Sequence, residues 1–137
     1  MAKKIPFQNK NAPDLSNMFS WGLKVTNIRE LFFVTGTVAL TPKFKVKHPG
    51  NAVAQAKDIL SNVDSFLKQA GYGRQDIVRF NQTSTKEVKP KDSSAIFTLV
   101  EEFFADVDVK PAAGTYRVVH ALAVPGLLVE FEFLVAK

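Results

Sequence analysis

The stretch Leu127-Leu128-Val129-Glu130-Phe131-Glu132-Phe133-Leu134-Val135-Ala136 sets Val129, Phe131, Phe133 and Val135 against Leu128, Glu130, Glu132 and Leu134. A period of two is the mark of a β-strand, because successive side chains point to opposite faces. One of these faces is wholly apolar and has to be covered. The other holds two carboxylates among leucines, which are costly to bury without partners. Just upstream, Pro125-Gly126 reads as a tight turn, and residues 115–122, after Pro111, read as the preceding strand.

Further upstream the period changes. Ala56, Ile59, Leu60, Val63, Phe66, Leu67 and Ala70 recur in steps of three and four, one apolar face of a helix over residues 52–70. Asn51 is its candidate N-cap and Gly71 its stop. Gln55, Lys57, Asp58, Ser61 and Lys68 fall mostly on the polar side. Ile77-Val78-Arg79-Phe80 begins a strand, and Asp92 or Ser93 can cap a second helix with the stripe Ile96, Leu99, Val100 and Phe103. Near the start, Leu23 and Val25, then Leu31-Phe32-Phe33-Val34, give two short strands joined at Thr26-Asn27. Gly36 interrupts the second, as glycine does at bulges or where something approaches the backbone. Residues 1–18, rich in lysine, proline and amide side chains, read as a leading arm before a single domain at 19–137.

The resulting order is β-β-α-β-α-β-β: an α+β fold with two helices on one face of a mixed sheet. The opposite face, with Leu128, Glu130, Glu132 and Leu134, is expected to be covered by other subunits, since an apolar face of that size invites aggregation when bare.

At 137 residues, with 46% hydrophobic and 23% charged residues, the composition is that of a soluble globular domain. No apolar run approaches the roughly 18 residues of a membrane span, and the first six residues lack the apolar stretch of a signal peptide. With no cysteine, disulfides, thiolate metal sites and cysteine nucleophiles are excluded, and a cytoplasmic location is expected. The net charge of +5 comes from lysines grouped at 3–10, 43–47 and 86–91. They sit in proline-containing segments and read as solvated loops, not as a nucleic-acid surface. His48 and His120 have no metal-ligand spacing. There is no phosphate-cradling glycine loop and no GxSxG elbow. Neither a metal nor a cofactor is expected.

Several segments, in order, resemble the Rid (reactive intermediate deaminase, YjgF-like) family. They are Phe33-Val34-Thr35-Gly36-Thr37, Ala54-Gln55-Ala56 running to Leu60-Ser61-Asn62-Val63, Ala70-Gly71, Phe103-Phe104, Pro111-Ala112 and Leu128-Val129-Glu130-Phe131-Glu132. The resemblance spans about residues 19–137. It implies a homotrimer built like the chorismate-mutase barrel, with small-molecule clefts between subunits. Members with deaminase activity hydrolyse enamines and imines.

Residue by residue, the resemblance makes Glu130 the site glutamate that helps position the hydrolytic water, and puts Thr35-Gly36 where the family has Ser-Gly. The family's substrate-clamping arginine, just after Pro-Ala, is replaced here by Ala113-Gly114-Thr115. Its amino-end tyrosine corresponds to Phe19 and an asparagine of the second helix to Phe97. These exchanges imply a ligand less acidic or more apolar than a simple 2-imino acid. Strand parity puts Gly114, Tyr116, Val118 and His120 on one face, so Tyr116 and His120 are candidate proton-transfer partners of Glu130. The expected activity is hydrolysis of an imine, an enamine or an aminomuconate-like compound. Two other readings are a non-catalytic small-molecule-binding or regulatory trimer, and the ribonuclease activity attached to the family's L-PSP endoribonuclease name.

Overall fold

The computed structural model describes residues 2–137; Met1 lies outside the described residues. Strands β1 (Lys3–Phe7), β2 (Gly22–Thr26) and β3 (Leu31–Thr37) are followed by helix α1 (Ala52–Gln69) and strand β4 (Ile77–Thr85). Helix α2 (Pro90–Phe103), β5 (Ala112–Val119) and β6 (Val129–Ala136) complete the chain. The main sheet has the order β3-β6-β4-β5, and β1 pairs with β2 in a separate antiparallel ribbon. Among the described strands of the main sheet only β4 and β5 run parallel, joined through α2; the last strand slots antiparallel between β3 and β4.

Both helices cover one face of this sheet, as the alternation requires. Val129, Phe131, Phe133 and Val135 are at most 2% exposed and meet Ile59, Val63 and Leu67 of α1 and Ile96 and Val100 of α2 in one core. Glu130, Glu132 and Leu134 lie on the other face. Leu128 does not follow them: it precedes the strand and is buried in the core.

The ends of α1 are those expected. The Asn51 side chain accepts from the Ala54 N–H at 3.0 Å, and Gly71 takes φ +88°, the left-handed conformation that closes a helix. Its faces need two corrections. Gln55 is fully buried, and Phe66, 43% exposed, lies at the margin against Phe32. Gln55 is tolerated inside because its carboxamide is fully used. Its Oε1 accepts from the Leu128 N–H at 2.9 Å, and its Nε2 donates to the carbonyls of Gly126 at 3.1 Å and His48 at 3.3 Å. This one side chain ties α1 to the turn that launches β6.

Helix α2 starts earlier than Asp92 or Ser93 would have it. Pro90 occupies the first turn, where its fixed φ fits and its missing N–H costs nothing, and Asp92 follows in the same turn, favourably placed for the helix dipole. The largest departure is β1. Lys3-Lys4-Ile5-Pro6-Phe7, within the segment read as a leading arm, forms a strand through its pairing with β2. It lacks a run of strand-forming residues and contains Pro6, which a strand accepts at an edge.

Replacing Gln55 by leucine keeps the volume but strips the Leu128 N–H and Gly126 carbonyl of their partners. Each buried group left unpaired costs about 1–3 kcal/mol. Urea unfolding of Gln55→Leu should therefore show a loss of roughly 2–4 kcal/mol; an unchanged midpoint would contradict this role.

Candidate functional site

Two one-residue bulges, one on each edge strand of the main sheet, determine where the candidate residues go. On β3, Val34 pairs with Phe133 and Thr37 with Phe131, so Thr35 and Gly36 together oppose a single residue of β6. On β5, Ala113 pairs with Phe80 and Tyr116 with Gln82, so Gly114 and Thr115 together oppose Asn81. A bulge reverses the parity of everything beyond it.

The first bulge brings Gly36 against Glu130 on the face the helices leave open. A Cβ at position 36 would overlap the Glu130 Oε1, so glycine is what lets the carboxylate lie across the strand. Thr35 is exposed beside it, and its carbonyl accepts from the Thr37 hydroxyl at 2.9 Å. Glu130, half-buried, stands in register with Thr83, and Thr83 with Arg117. Glu132 accepts from Asn81 Nδ2 at 3.2 Å. Arg79 and Arg117, with Phe33, Thr35, Asn81, Glu132 and Leu134, line a hollow of about 610 Å³ on this face. No ion pair among the described residues involves Glu130, Glu132, Arg79 or Arg117.

The second bulge turns Tyr116 the other way. Tyr116 is in register with Gln82, and Gln82 with Phe131, which places all three on the helix-covered side. There the Tyr116 ring meets Phe97 of α2 edge-on at 5.3 Å. Phe19 is held nearby because Ser20 is bonded to the start of β5: its N–H donates to the Pro111 carbonyl at 2.8 Å and its hydroxyl to the Lys110 carbonyl at 2.7 Å. Phe19, Phe80, Phe97, Tyr116 and Gln82, with Ala113, Gly114 and Thr115, line a cavity of about 70 Å³ without a charged side chain.

The candidates therefore divide into two groups. Thr35, Gly36 and Glu130 lie together on the open face; Phe19, Phe97, Gly114 and Tyr116 border the small cavity at the β5 edge. Within one chain Tyr116 cannot serve Glu130, because the sheet separates them. The parity expected for β5 fails at Gly114-Thr115, where the extra residue sits. Val118, paired with Ser84, keeps the side of Tyr116. His120 lies past the end of β5, exposed, about 13 Å along the chain from Tyr116 at strand spacing. It joins neither group. Arg117, Arg79, Asn81 and Gln82 are the residues that sequence reasoning missed. The glycine at 114, next to two alanines, was the available sign of a bulge.

With this geometry the relationships are consistent. Residues 9–137 match the Endoribonuclease L-PSP family. A RutC family protein of Aquifex aeolicus (strain VF5) is 30% identical over 99 residues, covering 69% of this chain and 73% of the relative. The structure of YyfB from Yersinia pestis, a Rid-family protein of unknown function, superimposes with a TM-score of 0.84 at 24% identity over 98% of each chain. That of PA3499 from Pseudomonas aeruginosa, also of unknown function, gives 0.61 at 26% identity over 99% of this chain and 94% of the other. The chain belongs to the Endoribonuclease L-PSP family, the group of the Rid and YjgF proteins.

Asn81 Oδ1 accepts from the Thr115 N–H at 3.0 Å, filling the ladder position that the bulge leaves open. A Cβ at Gly114 would overlap that oxygen. In Gly114→Ala the Asn81 side chain should be displaced, with faster amide exchange at Thr115 and a stability loss of about 1 kcal/mol or more. Exchange at the wild-type rate would contradict the bulge's dependence on Asn81.

Proposed function

We propose that this protein is a hydrolytic deaminase of imines or enamines, working as a homotrimer whose clefts join the Glu130 group of one copy to the Phe19–Tyr116 cavity of the next. The observation that carries the proposal is the opposed placement of the two groups. Residues that the family uses together face away from each other in a single chain, so one cleft needs two chains. Phe33, 71% exposed, and Leu31, 52% exposed, stand at the open-face edge as apolar surface for such contacts. No helix of the described residues is long and apolar enough to cross a membrane, and we place the activity in the cytoplasm, where imines released by other enzymes would be met.

In the reaction, a water lying against Glu130 attacks the imine carbon. Its proton passes to the carboxylate, and the C=N bond becomes a carbinolamine. Glu130 delivers that proton to nitrogen, completing the neutral carbinolamine; the hydroxyl proton then follows to nitrogen through Glu130 as the C–N bond breaks and the C=O bond forms, and ammonia and a carbonyl compound leave. One water is consumed and no oxidant is needed. Thr35 and the Gly36 backbone line the carboxylate side, and the Tyr116 hydroxyl of the adjoining copy is a second donor for the departing nitrogen. The cavity offers no cation where the family has its arginine, so a substrate carboxylate would lose its hydration without replacement. This favours uncharged imines.

The test uses imines generated in situ by a flavin amine oxidase and, for comparison, by an amino-acid oxidase. Ammonia should be released faster than by spontaneous hydrolysis, preferentially from the carboxylate-free imines. Glu130→Ala should reduce the rate about 100-fold or more, the usual worth of a general acid–base group, with the assembly intact. Full activity in that variant would overturn the reading. Saturable binding with no acceleration over spontaneous hydrolysis would instead make the protein a non-catalytic small-molecule binder.

A further inference from the structure

Besides the hydroxyl residues Thr115 and Tyr116, the cavity is lined by one carboxamide, Gln82, which the mechanism above does not use. Gln82 is 4% exposed, in the middle of β4, with Phe131 on one side and Tyr116 on the other. Its Nε2, like the Ser84 and Thr85 hydroxyls further along β4, is buried without a hydrogen-bond partner, but of the three only Gln82 lines the cavity. The contrast with Gln55 is instructive: that buried carboxamide makes three hydrogen bonds. An unpaired buried amide destabilises a fold, and buried polar groups are otherwise almost always satisfied. The walls around it, Phe19, Phe80, Phe97 and Tyr116, offer no acceptor pointed at Gln82 within the chain.

We infer that Gln82 is a specificity residue whose carboxamide recognises a neutral amide group of the ligand. A primary carboxamide can donate through nitrogen and accept through oxygen, and a ligand amide supplies the reciprocal pair. A carboxylate fits badly: it has no N–H to give, and the cavity wall holds no cation. Arg79 and Arg117 belong to the other face of the sheet. The cavity of about 70 Å³ is far smaller than the roughly 300–1,000 Å³ of a pocket that takes a whole ligand. It therefore takes the polar head of a ligand, while any apolar remainder lies in the mouth against Tyr116, itself 41% exposed. The inference rests on the reading of this cavity as part of the substrate cleft and names the group that replaces the carboxylate: an imine or enamine carrying an amide.

The test is binding, so that it is separate from turnover. Isobutyramide and its isostere isobutyrate are titrated into the full-length protein with the Gln82 side-chain N–H resonances observed by nitrogen-edited NMR. Isobutyramide should shift those resonances saturably and bind at least tenfold more tightly than isobutyrate. Gln82→Leu, which removes the polar pair at constant volume, should weaken isobutyramide about fivefold, the value of one neutral hydrogen bond, and leave isobutyrate unchanged. If that variant does not fold, the wild-type resonances still decide. Unmoved Gln82 resonances at saturation, or equal affinity for the two probes, would overturn the inference even if Glu130-dependent hydrolysis is found. Selective binding of the amide without any hydrolysis would uphold it while the deaminase reading fell.

Discussion

Each edge strand of the main sheet carries one residue more than its partner, and the placement of the candidate site depends on those two insertions. Thr35-Gly36 on β3 and Gly114-Thr115 on β5 each oppose a single residue of the neighbouring strand. Side-chain direction in a strand alternates strictly, so one extra residue moves every later side chain to the other face. At Gly36 the effect is to open a strand beside Glu130, with no Cβ in the way of the carboxylate. At Gly114 it is to turn Tyr116 under α2 and Arg117 onto the face of Glu130. Asn81 supports the second insertion from both sides, accepting from Thr115 and donating to Glu132.

The open face that results is chemically mixed. Arg79, Arg117, Glu130 and Glu132 share it with Phe33 and Leu134, and none of the four charges is paired within the described chain. Charges left near apolar surface gain from opposite charges brought across a contact, where water is thinned and hydrogen bonds can be completed. The cavity on the helix-covered side has the opposite character: four aromatic side chains, Phe19, Phe80, Phe97 and Tyr116, and one unsatisfied carboxamide. A cleft combining the two would set a carboxylate and water against an apolar pocket with one neutral polar anchor. That combination suits hydrolysis of a small uncharged substrate better than capture of an acid.

What the residues disclosed in advance was what repeats. The three- and four-residue steps from Ala56 to Leu67, the Asn51 cap and the alternation from Val129 to Val135 are periodic or local signals, and the structure follows them. The order of elements resolves the α+β layering, and the family segments are short contiguous runs legible without coordinates. The departures lie where a single residue breaks the pattern or where the reason is distant in sequence. Gln55 looks like a surface residue until its partners, 71 and 73 residues away, are seen. The strand at Lys3–Phe7 has little strand propensity of its own and exists through β2. Tyr116 stands on the face opposite to the one that regular alternation through Gly114 gives it, because the bulge adds one residue there, and Gln82 looks ordinary until its missing partner is noticed.

The central claim is that one cleft needs two copies of the chain, closed in a ring of three. Light scattering coupled to size-exclusion chromatography at micromolar protein tests it most directly. The account predicts a single species of about three times the chain mass of 15.2 kDa. A well-folded, stable monomer at that concentration would contradict it, because Glu130 and the Phe19–Tyr116 cavity would then face apart with nothing to join them.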